Sequence, residues 1–403
     1  MHLRFSTAGE SHGRALVTTV EGLPAGLPIS AQWVDRDLAR RMQGYGRGAR
    51  MKIERDRIEW LAGVRAGETL GSPVAMLISN RDWSNWEDVM AHEAAEPGEL
   101  RRRRVSRPRP GHADLAGVLK YDRLDARDIL ERASARETAA RVAAGAIARQ
   151  LLAAAGIQLT SHVFAVGSNR LPDDAVVSFE RAAGMPHDAP LRCVDGDLEA
   201  RMIAAIDAAR EAGDTIGGAF EIIATGVPPG LGSYIQWDRK LDGRLAQALM
   251  SIPAIKAVGV GLGPAAAYRP GSRVHDELVT DQTGARSTGI GRPTNNAGGL
   301  EGGVTNGEDL RVSAWMKPIS TLMKPLRSVD VTTMSEAAAA IERSDVCAVP
   351  AAAVVGEAMV ALILADALVD KFGGDSMTEL TRALASAAEA IRARFTPGAR
   401  AVQ

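Results

Sequence analysis

The chain is written twice. Gly-Glu-Ser-His-Gly-Arg-Ala-Leu-Val-Thr-Thr-Val-Glu-Gly-Leu-Pro-Ala-Gly-Leu at 9–27 returns ungapped at 213–231 as Gly-Asp-Thr-Ile-Gly-Gly-Ala-Phe-Glu-Ile-Ile-Ala-Thr-Gly-Val-Pro-Pro-Gly-Leu. The register runs on to Gln32-Trp33 and Gln236-Trp237. Gly63, Gly67, Thr69 and Gly71 then align with Gly299, Gly303, Thr305 and Gly307, and Arg132, Ser134 and Gly145 with Arg343, Asp345 and Gly356. Three matches in one order are hard to obtain by chance, and an offset of about 200 residues is far too long for a solenoid. The repeat implies one domain over 1–403, built from related halves at 1–156 and 205–374, with a helical tail at 375–403.

Each half reads as strand, proline-glycine turn, helix, hairpin and long helix. β-Branched runs bounded by glycine and proline (Leu16–Val20, Phe220–Ala224) mark the strands. Amphipathic spacing from Asp35 to Met42 marks a helix, and alanine-rich helices over 135–155 and 350–372 end at Gly156 and Gly373. Strands do not alternate regularly with helices. The expected class is therefore α+β: two pseudo-symmetric halves whose antiparallel sheets pack on a helical core.

Residues that differ between the halves are where asymmetric chemistry can sit. His12 faces Ile216, and Ser134 faces Asp345. Charge offers no shortcut, because a formal net charge of −1 draws the chain to neither nucleic acid nor membrane. Arginines cluster at 40–57, 101–109 and 132–141, and apart from Tyr45 the few aromatic residues do not interleave with them, which argues against a single-stranded nucleic-acid groove. Cys193 and Cys347 show no paired spacing, and the start of the chain has no signal-peptide pattern. The longest apolar run, Ala351–Leu368, holds Glu357 and Asp366 and reads as a core helix. A cytoplasmic protein is expected.

Arg-Pro-Arg-Pro-Gly-His-Ala-Asp at 107–114 is the most telling motif. Its prolines stiffen the backbone beneath two guanidiniums, and His112 adds an imidazole, a side chain able to donate or accept a proton. Such a loop suits an anionic substrate and a moving proton; the plain alternative is a basic surface turn continuing the charge run 101–104. Ser134-Ala-Arg-Glu137 fits a capping box and places a helix N-terminus between Arg132 and Arg136, an anion site. The same residues also fit one uninterrupted helix from Asp128 with both arginines in solvent. Asp345, at the matching position of the second half, is a plausible proton acceptor.

Gly-Glu-Ser-His-Gly at 9–13 has the spacing of a nucleophile elbow but lacks the preceding core strand, so His12 reads as an exposed acid or donor, or as a capping histidine. Gly259–Gly263 is a glycine-rich strand or loop, since Pro264 replaces the third glycine of a dinucleotide fingerprint. His92-Glu-Ala-Ala-Glu96 lacks a second histidine, and no metal is expected. The glycine tract 295–307 admits a flat ligand or forms a tight hairpin; Lys317, Ser320 and Thr321 follow it with an ammonium and two hydroxyls suited to phosphate.

Six ordered motifs closely resemble the chorismate synthase family: Gly-Glu-Ser-His-Gly at 9–13, Gly-Tyr-Gly-Arg-Gly at 44–48, Arg-Pro-Gly-His-Ala-Asp at 109–114, Arg-Ala-Ser-Ala-Arg-Glu-Thr at 132–138, Lys-Pro-Ile-Ser-Thr at 317–321 and Arg-Ser-Asp at 343–345. The resemblance implies a carbon–oxygen lyase that converts 5-enolpyruvylshikimate 3-phosphate to chorismate and phosphate by 1,4-trans elimination, in the shikimate pathway of aromatic amino acid biosynthesis. It implies reduced FMN as cofactor without net redox change. Ser11, Arg41, Arg47, Arg50, Arg109 and Arg136 would hold the substrate's anions, with a nicotinamide nucleotide as alternative occupant of Arg41 and Arg47. Arg132, Ala133, Ser134, Pro253, Ala254, Gly302, Lys317, Pro318, Ile319, Ser320, Thr321 and Arg343 would hold the flavin.

His12 would act as acid at the departing phosphate, His112 would protonate the reduced flavin or stabilise its charge, and Asp345 would help flavin N5 accept the C6 proton. The family further implies a homotetramer, and the chain reads as the single-function bacterial type, supplied with reduced flavin by an external reductase, with NADPH as an optional reductant. Competing classes are a flavin or sugar-phosphate binding module without chemistry, and an FMN reductase.

Overall fold

The computed structural model describes residues 2–48, 55–93, 103–186, 188–281, 288–342 and 344–395. The chain opens with β1 (Arg4–Ala8) and β2 (Ala15–Glu21), then α1 (Ala31–Met42), β3 (Glu59–Ala62), β4 (Val64–Arg65), β5 (Glu68–Thr69) and β6 (Val74–Ser79). Three helices follow, α2 (Asp114–Tyr121), α3 (Arg127–Ala133) and α4 (Thr138–Ala154). Next come β7 (Gln158–Val166), β8 (Asn169–Arg170), α5 (Phe179–Ala183), α6 (Gly196–Glu211), β9 (Gly218–Thr225), α7 (Leu241–Met250) and β10 (Ile255–Val260). Short pairs β11 (Val279–Thr280) with β12 (Ile290–Gly291), and β13 (Leu300–Glu301) with β14 (Val304–Thr305), precede β15 (Leu310–Met316). The hairpin β16 (Arg327–Asp330) and β17 (Ser335–Ala338) leads to α8 (Val349–Phe372) and α9 (Met377–Phe395).

Two antiparallel sheets enclose a helical layer. One has the order β1-β2-β6-β3, the other β10-β15-β9-β7-β8. Alternate residues of β2 and β6 are buried, as a sheet with one covered face requires, and that face lies on α4. The second sheet packs on α7 and α8, and β7 is buried almost throughout because α5 and α6 also lie against it. This is the α+β arrangement of antiparallel sheets on a helical core that the sequence implies.

At the centre α4 crosses α8. The crossing is close because Gly145 has no side chain: a Cβ there would collide with Ala358, and one on Gly356 would collide with Phe220. The segments aligned in sequence form like elements: β2 and β9 are strands of the two separate sheets, β4–β5 and β13–β14 are short antiparallel hairpins, and α4 and α8 are the two central helices. Helix α8 is long and apolar enough to cross a membrane, but 89% of its apolar window is buried inside the protein. Both cysteines are buried thiols, and burial pushes Cys347 up to about 11.

Candidate active site

Ser134 breaks the chain between α3 and α4. Its backbone is extended (φ −63°, ψ 143°), and its hydroxyl accepts from the Arg136 N–H at 3.3 Å. The uninterrupted helix from Asp128 is thus excluded. The reciprocal half of the capping box is not formed, however, because Arg141 takes the Glu137 carboxylate at 2.8 Å. Ser134 Oγ donates to Ser11 Oγ at 3.1 Å, tying the turn after β1 to this helix start. Arg132 holds the same turn by donating to the carbonyls of Thr7 and Gly9, rather than standing beside the helix end as an uncommitted cation.

His12 is not the exposed group expected between two glycines. It is buried, stacked on Trp86 with ring centroids 3.7 Å apart, and its Nδ1 lies 3.0 Å from both oxygens of Glu131. Glu131 also accepts from the His12 backbone N–H at 2.9 Å and from Arg127. Burial alone would raise the Glu131 pKa, but the hydrogen bonds from His12 and Arg127 hold it below the usual carboxylate range. An ionised carboxylate can only accept, so Nδ1 carries the proton and the tautomer is set. Trp86 also meets the guanidiniums of Arg103 (4.2 Å) and Arg127 (5.1 Å) beside a cavity of about 580 Å³.

A second group surrounds Asp56. Arg136 binds both its oxygens at 2.6 and 2.7 Å, and Arg41 reaches one at 3.0 Å. Arg136 Nε donates to Asn80, whose amide in turn holds the carbonyls of Glu10 and Gly13. Burial, together with Arg136 and Arg47 nearby and only partly offset by Asp56, brings Arg41 down to about 10. Arg47 pairs with Asp345 at 3.2 Å, and the Gly48 N–H donates to the other Asp345 oxygen at 2.6 Å. Arg41, Arg47, Arg136 and Asp345 therefore converge from three distant stretches of sequence. Arg50 and Arg343 lie outside the described residues.

The loop at 109–114 forms a third group. Arg109 donates through Nε to Asp114 at 2.8 Å and through a terminal nitrogen to Thr321 at 2.9 Å. His112 Nδ1 sits 2.6 Å from Asp114. Against the cost of burial, hydrogen bonds from His112 and Arg109 keep Asp114 far below the usual carboxylate range. Nδ1 of His112 must then be the donor, so its 3.0 Å approach to Arg109 is a close contact between two donors, not a hydrogen bond. Ser320 donates to the Gly111 carbonyl at 2.9 Å, and Lys317 Nζ to Ser320 at 2.9 Å. Burial and the neighbouring Lys256 lower the Lys317 pKa.

Hydrogen bonds join these groups. Val346 N–H donates to Gly46, Ile216 N–H to Val346, Thr215 to the Ile319 carbonyl, and the Lys317 N–H to Ala254, with Pro253 adjacent and Pro318 inside the loop. Ala254 takes φ +70°, so its own backbone turns toward that loop. Gly302 is not brought there. Its carbonyl accepts from Lys240, which precedes α7, whereas Pro253 and Ala254 follow α7, a ten-residue helix of about 15 Å. Asp56, Asn80, Glu131, Asp114 and Trp86 are site residues that sequence reasoning missed. Two of them stand in or beside quoted motifs; Asp56, Asn80 and Trp86 carry no local signal.

The profile of chorismate synthase matches residues 3–369. This chain belongs to the chorismate synthase family. The chorismate synthase of Geobacter sulfurreducens is 56% identical over 394 residues, covering 97% of this chain and all of the relative. That of Symbiobacterium thermophilum is 55% identical, covering 94% of this chain and 97% of the relative. A solved structure titled as the crystal structure of chorismate synthase superposes with a TM-score of 0.76 at 40% identity, covering 97% and 99% of the two chains.

Proposed function

We propose that this enzyme is a chorismate synthase proper: it removes phosphate from 5-enolpyruvylshikimate 3-phosphate to give chorismate. In that reaction the C6–H proton is lost, the C3–O bond breaks with its electron pair leaving on phosphate, and a new double bond forms without net redox change. The observation that carries the reading is the convergence of Arg41, Arg47 and Arg136 on two carboxylates, Asp56 and Asp345. Guanidiniums gathered in this way suit a substrate that carries one phosphate and two carboxylates.

Reduced FMN fits the donor set. Lys317, with its ammonium beside Lys256, and the hydroxyls of Ser320 and Thr321 suit a phosphate monoester. Ala133, Ser134, Pro253, Ala254, Pro318 and Ile319 offer backbone around that loop, with Arg132 and Arg343 as the family's further flavin contacts. Gly302 would complete the pocket only from a neighbouring copy, in keeping with a homotetramer. Reduced flavin, when bound, supplies the electron density that eases phosphate loss.

The protein's part is to hold anions and place protons. His12, fixed through Nδ1 by Glu131, presents Nε2 as the acid for the departing phosphate. His112, fixed through Nδ1 by Asp114, would have Nε2 left to protonate the reduced flavin or stabilise its charge. Asp345, braced by Arg47 and the Gly48 N–H, holds the proton taken from carbon. Ser11 and Ser134 position substrate through their shared hydrogen bond, and Arg109 braces the loop from Asp114 and Thr321. The burial of Arg41 and Arg47 favours a small enclosed anion over a nicotinamide nucleotide. Reduced flavin would come from an external reductase in the cytoplasm.

Anaerobic assay with the enolpyruvyl substrate and dithionite-reduced FMN tests this, with and without NADPH. Chorismate should form without NADPH. His12→Ala and His112→Ala should retain flavin binding and lose at least tenfold in turnover, acid–base steps being worth roughly 10²–10⁴. Turnover within twofold of the unmodified enzyme in both variants would remove the proton assignments. NADPH oxidation without chorismate would instead favour a flavin reductase.

A further inference from the structure

Away from these residues, the other side of α1 borders a cleft of about 270 Å³ whose walls include Trp33, Arg36, Arg40, Arg149, Phe179 and Arg192. Arg40 binds both oxygens of Glu357 at 2.7 and 2.8 Å, and Arg149 reaches Asp37 at 2.8 Å and Glu357 at 3.0 Å. Asp37 also meets Arg36 and Arg40, and Ser161 donates to Glu357. Four guanidiniums thus face two carboxylates. The one left over is Arg192.

Arg192 is only 7% exposed, yet its terminal nitrogen donates to a carbonyl, that of Ser161 at 3.0 Å, and its Nε has no hydrogen-bond partner among the described residues. Burial, with Arg40 and Arg149 nearby, weakens its hold on the proton despite Glu357 and Asp37. Its backbone is strained as well, at φ +57°, a conformation costly for a bulky residue. Glu199 enforces it by accepting the N–H groups of Leu191 and Cys193, and the Arg192 carbonyl accepts from Val163. Strain kept at a buried, under-bonded cation in a cleft is a mark of function. The walls are aromatic: Trp33 and Phe179 are half-buried, and Arg36 stacks 4.9 Å from the Trp33 ring.

We infer that this cleft binds a small aromatic carboxylate, its ring against Trp33 and Phe179 and its planar carboxylate on the Arg192 group. The volume exceeds that of a bare ion, the arginines suit a planar two-oxygen anion, and the ligand brings the negative charge that the cluster lacks.

Benzoate is the probe, titrated by calorimetry into the intact enzyme, with benzyl alcohol and inorganic phosphate as comparison ligands. Benzoate should bind at about 1 mM or tighter, the strength open to a ligand of that size, and at least tenfold more tightly than either comparison. Arg192→Gly removes the guanidinium while fitting the positive φ, so it should fold with unchanged or raised Tm, keep normal turnover and weaken benzoate at least tenfold. Arg36→Ala, on the exposed rim, should weaken it at least threefold and serves alone if the glycine variant does not fold. The proposal falls if benzoate shows no binding at 10 mM, roughly tenfold above that expected Kd. It also falls if phosphate or the alcohol matches benzoate, or if the folded variants bind like the unmodified enzyme. The last result would place benzoate on the active-site arginines, which neither variant touches.

Discussion

Arg40 and Arg41 are neighbours on α1 and are held in opposite ways. Arg40 turns toward the core and has both oxygens of Glu357, so its pKa rises despite the cost of burial. Arg41 turns toward the active site and shares Asp56 with Arg136, which holds the shorter bonds, and its pKa falls to about 10. Around Arg40, four guanidiniums face Asp37 and Glu357, whereas Arg41 and Arg136 meet on Asp56. A matched pair is scaffold, and an under-matched one is a place prepared for an anion. Arg41 and Arg192 are the under-matched members of their respective groups.

Glu357 carries the largest expected effect. Glu357→Ala leaves Arg40, Arg149 and Arg192 without their main counter-charge in a closed core, and should cost about 3–5 kcal/mol in equilibrium denaturation. A loss below 1 kcal/mol would mean that the core network is not scaffold. Asp56→Asn removes the counter-charge on the other side, where a ligand can replace it. It should cost roughly 1.5–3 kcal/mol without substrate. The Tm rise produced by saturating substrate should then be larger than in the unmodified enzyme, whereas Glu357→Ala should show no such gain. Equal ligand responses in both variants would erase the distinction.

The smallest effect is that of pH. Asp56, Glu131, Asp114 and Glu357 all have pKa values depressed by folding. Each stabilises the fold fully above the unfolded carboxylate range near pH 4, and that contribution disappears as pH falls through the lower folded values. Thermal melts should therefore be flat from about pH 5 to 7 and decline below pH 4. Glu357→Ala should make the decline shallower. A decline already present at pH 6 would point to histidines rather than to these carboxylates.

Much of the fold was readable along the chain. The strand and helix spans followed from β-branched runs and alanine-rich periodicity, and the helix start at Ser134 from its capping chemistry. The site was readable only where it is local. His112 and Arg109 stand within one stiff loop and could be singled out in advance, although Asp114, which holds both, was not. His12 could not be placed correctly, because the residues that bury it, Trp86 and Glu131, lie 74 and 119 positions away. Asp56 was invisible for the same reason: a lone aspartate in a charged loop looks like surface until Arg41 and Arg136 close on it. Gly302 shows the opposite failure, a motif position that folding places away from its sequence-assigned partners.

Sequence alone settled the identity of the chemical groups, the recurrence of segments along the chain and the points where the backbone must turn. These depend on short-range sterics and on spacing, which a linear string carries in full. Which guanidinium meets which carboxylate was decided by the tertiary structure, because Coulomb pairing in a buried site depends on distance and desolvation. Adjacent arginines on one helix are alike as text, and they become scaffold and site only once the different surroundings of each are packed.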